Sequence, residues 1–84
     1  MISTVQDLAA EALFVSYLQP SECPTRQIVE ETVTAMLLRH GSDGCAAGVA
    51  EEFGDHPEAA VRRMHWVRQE LTMLATPRRP HFAS

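Results

Sequence analysis

Apolar residues recur at helical spacing from the start of the chain. Val5, Leu8, Ala12 and Val15 share one face, and Phe14, Tyr17 and Leu18 widen it further on. Ser3 followed by Gln6 has the spacing of a capping box. The pattern predicts a first helix over about 4–18. The run Gln19-Pro20-Ser21-Glu22-Cys23-Pro24 then breaks it, because each proline pushes the residue before it out of helical geometry. Pro24 suits the first turn of a second helix, predicted over about 24–40, with Ile28, Val29, Val33, Met36 and Leu37 on its buried face. His40-Gly41 supplies the stop: a basic residue in the last turn, then a glycine that tolerates left-handed backbone.

Ser42 or Asp43 can cap a third, shorter helix over about 43–53. Its buried face is Cys45, Val49 and Phe53, with Ala46 and Ala50 beside them. Gly48 permits close helix approach, and Gly54 ends the element. Asp55-His56-Pro57-Glu58 opens a fourth helix. Asp55 with Glu58 fits a capping box, whereas Pro57 in the first position makes His56 the cap; both readings stand at this point. The fourth helix runs to about 75. At 100° per residue, Ala60, Met64, Val67, Leu71 and Leu74 fall within about 40° of one line, which marks the core-facing stripe.

The remaining segment, Thr76 to Ser84, has two prolines and no helical period. Strand-like alternation and internal repeats are missing from the pattern. The expected fold class is therefore all-α: a small four-helix bundle with a helix-turn-helix-like corner between helices three and four. Residues 1–75 read as a single helical domain, and 76–84 as a flexible Pro/Arg-containing tail.

Composition adds bounds. With 84 residues, 45% hydrophobic and 21% charged, the chain fits one small globular domain and is too apolar for a disordered one. No run approaches the roughly 18 apolar residues of a membrane span. The N-terminus lacks a basic region followed by an apolar block, so it does not read as a secretory signal. A cytoplasmic location without membrane contact is the expectation. Cys23 and Cys45 are then expected to be reduced, half-buried thiols.

Charge changes the picture more. Residues 1–60 hold ten acidic side chains against Arg26 and Arg39 alone. Residues 61–84 hold Arg62, Arg63, Arg68, Arg78 and Arg79 against Glu70. An acidic body with a basic C-terminal quarter attracts polyanions locally while the whole repels them. All seven cations are arginine, as GC-rich coding favours; their planar forks suit carboxylates, phosphates and aromatic faces.

The fourth helix carries the candidate site. Arg63 and Arg68 flank its apolar stripe, where their stems can cover apolar neighbours. Arg62, Trp66, Gln69 and Met73 cluster roughly opposite, with His65 at the edge. Tryptophan, methionine and arginine are enriched at protein interfaces and their energetic centres. Together with Arg78 and Arg79 as electrostatic contacts, these residues form the predicted partner-binding face. The competing reading covers Trp66 with the first helix or with Phe82, since small domains often wrap a single tryptophan. The expected function is a non-enzymatic, adaptor or regulatory protein–protein interaction domain that binds another protein or itself.

The alternative is a small DNA-binding transcriptional regulator. Ala50-Glu51-Glu52-Phe53-Gly54-Asp55-His56-Pro57-Glu58 resembles the first helix and turn of helix-turn-helix domains, which often read Ala-x-x-x-Gly-x-Ser-Pro. The local likeness spans 46–70. It departs six residues after the glycine, where a branched apolar residue belongs and Ala60 stands. Under this reading Arg62, His65 and Gln69 would contact bases or phosphates, opposed by Glu51, Glu52, Asp55 and Glu58 at the turn.

Enzyme chemistry finds little support. There is no glycine-rich phosphate loop and no Gly-x-Ser-x-Gly elbow. A dyad of Cys45 with His40 or His56 would lack a third, orienting group. Cys23, His40, Cys45, His56, His65 and His81 show no zinc-motif spacing. No catalytic residue, metal or cofactor is expected.

Three segments carry a wider likeness: Ala12-Leu13-Phe14-Val15-Ser16 leading to Leu18-Gln19-Pro20-Ser21; Gly44-Cys45-Ala46-Ala47; and Glu52-Phe53-Gly54-Asp55-His56-Pro57-Glu58 through Arg63-Met64-x-Trp66. In these the chain resembles a family of short, uncharacterised actinobacterial proteins, over about residues 11–71. The resemblance implies a bacterial cytoplasmic origin and no particular mechanism.

Overall fold

The computed structural model describes residues 5–75; for Val5, Leu74 and Ala75 it describes the backbone alone. Ser3 and the tail from Thr76, with Arg78, Arg79 and Phe82, lie outside the described residues. Helix α1 spans Val5–Phe14, a 3-10 turn follows at Pro20–Glu22, α2 spans Arg26–Asp55 and α3 spans Pro57–Ala75. No strand occurs among the described residues, so the fold is all-α.

Helix α1 stops four residues short of its predicted end. The Val15 N–H still donates to the Glu11 carbonyl at 3.2 Å, but the Ser16 N–H turns to Leu13 at 3.2 Å. The buried Ser16 hydroxyl donates to that same Leu13 carbonyl at 2.6 Å and accepts from the Leu18 N–H at 3.3 Å. A serine that offers the backbone local partners competes with helix propagation. The chain peels away, and Tyr17, expected on the buried face, is 80% exposed. Pro24 also differs from its expected place: it precedes the cap of α2. Thr25 caps that helix, its hydroxyl accepting from the Ile28 N–H at 3.2 Å.

The predicted second and third helices form one span, so the structure has three helices rather than four. The break between them is a single residue, Gly41, at φ 74° and ψ 167°. Glycine takes this backbone without a Cβ penalty. Helical geometry resumes at once, so that Ser42 and Asp43 open the arm that follows the bend. The bend is sharp. The Cys45 thiol meets the Met36 carbonyl at 3.7 Å, whereas nine residues of straight helix would set the two about 13 Å apart. Helix α2 therefore has two arms folded towards each other.

Helix α1 packs against both arms and against α3, which also meet each other. Ala10, Leu13 and Phe14 join Val29, Ala60 and Val67 in one buried cluster, edged by Val49, Phe53, Met64, Trp66 and Leu71. Ala12 joins Met36 and Cys45 in a second, edged by Val15, Val33 and Leu37. Gly48 brings the second arm close to α1: a Cβ there would lie 2.8 Å from Val15 Cγ1. Ile28, expected inside, is 42% exposed, and Ala50 also faces solvent. The cysteines are free thiols of contrasting kind, Cys23 exposed and Cys45 buried. Burial, with the Glu11 charge behind it, pushes the Cys45 thiol pKa up. No helix among the described residues is long and apolar enough to cross a membrane.

Candidate functional site

Helix α3 starts one residue after α2 ends. That residue, His56, closes α2 with its N–H on the Glu52 carbonyl at 2.7 Å and opens α3 by accepting from the Ala60 N–H at 2.9 Å. Of the two candidate caps, His56 thus holds the position. Its Nδ1 lies 3.2 Å from Glu52 Oε2. A DNA-binding helix-turn-helix joins its helices through a turn of about three to four residues. The one-residue joint here is tighter than that corner.

The apolar stripe falls where the spacing puts it. Ala60 and Val67 are buried, and Met64 and Leu71 are half-buried against the core. Arg63 flanks it, but with a larger task than covering apolar neighbours. Its Nε donates to the Phe14 carbonyl at 2.7 Å, and its Nη2 lies within hydrogen-bond reach of the carbonyls of Leu13 (3.3 Å), Ser16 (3.0 Å) and Leu18 (3.0 Å). The Phe14 carbonyl is one that α1 leaves open at its end, the Leu13 carbonyl is shared with Ser16, and those of Ser16 and Leu18 belong to the segment that follows. A cation there also meets the negative end of the helix dipole. Burial lowers the Arg63 pKa, and the nearby Glu52 charge pushes it back up.

The same guanidinium sits beside two rings, 5.8 Å from the Phe14 centroid and 5.5 Å from that of Trp66. Phe14 in turn stacks on Phe53 at 5.9 Å. This arrangement corrects the expectation for Trp66. The indole is half-buried, packed against the main core cluster and beside Arg63, and does not stand free on the outer face. At 100° per residue it lies about 120° from the stripe, on the Arg63 flank, and a ring that large reaches inward from there.

The other predicted contact residues do stay outside. Arg62, His65, Gln69 and Met73 are exposed, Met73 at 68%. Val61, which the sequence reading left unassigned, joins them at 58%. His65, Arg68, Gln69, Thr72 and Met73 line a shallow groove of about 330 Å³. Arg68 Nη1 lies 3.5 Å from Asp7 Oδ1 across to α1. Arg78 and Arg79 fall outside the described residues.

A second cleft, of about 430 Å³, opens beside Arg63 and includes Ser16, Gln19 and Glu52. The Ser16 hydroxyl, one Glu52 carboxylate oxygen and the Arg63 guanidinium there are engaged within the fold. The role of Arg63 was the main residue assignment missed from sequence. Its signal was a helix end at Phe14 to Leu18 with no glycine to close it, which calls for a donor from elsewhere. Compared with known proteins, the chain matches no family model, no curated protein and no solved structure.

Proposed function

We propose that the protein is a non-enzymatic interaction domain that meets a partner protein through the outer face of α3. The observation that carries this reading is the pair of exposed apolar side chains, Val61 and Met73, at the two ends of a face bearing Arg62, His65 and Gln69. Met73 borders the groove and takes the anchoring part that the sequence alone gave to Trp66; the indole offers only its exposed edge. Arg62 favours a partner surface with carboxylates around an apolar centre. The bacterial, cytoplasmic setting belongs to the same proposal and rests on the resemblance across residues 11–71.

The test compares the wild type with a Met73→Glu, Arg62→Glu variant in affinity capture from the native host. Circular dichroism and the thermal midpoint should be unchanged, because both residues are exposed. A protein captured by the wild type and lost by the variant supports the reading. Equal capture by both overturns it. Binding to duplex DNA that falls steeply with salt would transfer the face to the regulator reading, through counterion release at Arg62 and Arg68.

A further inference from the structure

The first arm of α2, from Arg26 to the bend at Gly41, turns an apolar stripe to solvent away from α3. Ile28, Ala35 and Leu38 are exposed, Leu38 at 83%. Alongside runs a groove of about 360 Å³ whose walls include Tyr17, Leu18, Thr32 and Met36. At 100° per residue Ile28 and Ala35 lie about 20° apart, with Glu31 and Arg39 on either side of them.

The charges on this stripe are placed symmetrically about its smallest residue. Glu31 lies four residues before Ala35 and Arg39 four residues after, about 6 Å along the axis in each direction. A second copy running antiparallel and centred on Ala35 brings each Arg39 level with Glu31 of the other copy, twice over. Leu38 comes level with Thr32 of the other copy by the same symmetry. The two Ala35 methyls at the centre let the helix axes approach towards the short end of the usual 8–10 Å spacing. A parallel copy would set Glu31 against Glu31 and Arg39 against Arg39, which repel. Within the chain, the Gln27 side-chain amide donates to Glu31 at 3.0 Å and leaves its other carboxylate oxygen open. Arg39 has no ion pair among the described residues. Glu22 adds a carboxylate along the groove.

The geometry points to a two-fold antiparallel homodimer through this arm, centred on Ala35, edged by Leu38 and held by two Arg39–Glu31 pairs. Such an interface is isologous: the same patch serves both copies. It is separate from the α3 face and leaves that face open on both outer sides.

Sedimentation of the full chain across micromolar to millimolar concentrations tests it. The wild type should show a reversible monomer–dimer equilibrium. Glu31→Arg and Arg39→Glu should each weaken the dimer at least about tenfold. The double variant, which exchanges the charges, should return to within about threefold of wild type. Leu38→Glu should leave only monomer, with helix content unchanged. Met73→Glu should leave the dimer intact. A wild type that stays monomeric overturns the proposal. So does a folded double variant that does not recover, or a dimer that Met73→Glu alone dissolves.

Discussion

On one side of α3, Arg63 gives its guanidinium to four carbonyls at the end of α1 and in the segment after it, and lies beside the rings of Phe14 and Trp66. On the other side, one residue away in sequence, Arg62 stands in solvent. The chemistry of the two side chains is identical. What separates them is 100° of helix rotation and the open end of another helix lying within reach of only one. The Arg63 side closes α1 and ties it to α3. The Arg62 side is not committed to the fold, which is what the proposed partner face requires.

The contrast breaks most visibly at Arg63. Arg63→Ala should lower unfolding free energy by about 3 kcal/mol, because it removes charge-assisted hydrogen bonds and two ring contacts together. Urea titration reads it, and a loss under about 0.5 kcal/mol would mean that water closes the helix end equally well. Arg63→Lys should recover less than half of the loss, since a compact ammonium cannot span the carbonyls as a planar fork does. Trp66→Ala comes next, at about 2 kcal/mol, less than for a fully buried tryptophan because the ring is half-covered. An unchanged thermal midpoint would restore the outward-facing reading of the indole. Arg68→Ala should cost about 0.5 kcal/mol or less, and salt should shrink even that, because Arg68 reaches Asp7 from solvent and at 3.5 Å. Arg62→Ala should have the smallest effect on stability, within about 0.5 kcal/mol of zero. Partner binding measured by calorimetry should weaken all the same.

These residues also show what the sequence could reveal. The α3 stripe was legible because Ala60, Met64, Val67 and Leu71 keep a period that nothing else explains. The chain reversal at Gly41 was legible as a stop, since a glycine after His40 is an ordinary helix end. The restart was legible too, to within about two residues, in Ser42 and Asp43; what could not be read was the direction of the second arm, which folds back until Cys45 meets Met36. The end of α1 was missed for a similar reason. Val15, Tyr17 and Leu18 keep the helical period past the point where the Ser16 hydroxyl and Arg63 take the backbone elsewhere. The exposure of Arg62, His65, Gln69 and Met73 was legible in the helical period. The half-burial of Trp66 was not, because a helical wheel carries direction but not the reach of a side chain.

The one-residue turn at Gly41 means that the second arm of α2 inherits its rotational phase from the first. Inserting or deleting a residue within either arm beside the bend would rotate everything downstream by about 100°. Cys45, Val49 and Phe53 would leave the core, and α3 would be carried round with them. The stretch from Gln19 to Cys23 is exposed and bound by no such constraint. Evolutionary changes in chain length should therefore accumulate there and be purged between Met36 and Cys45.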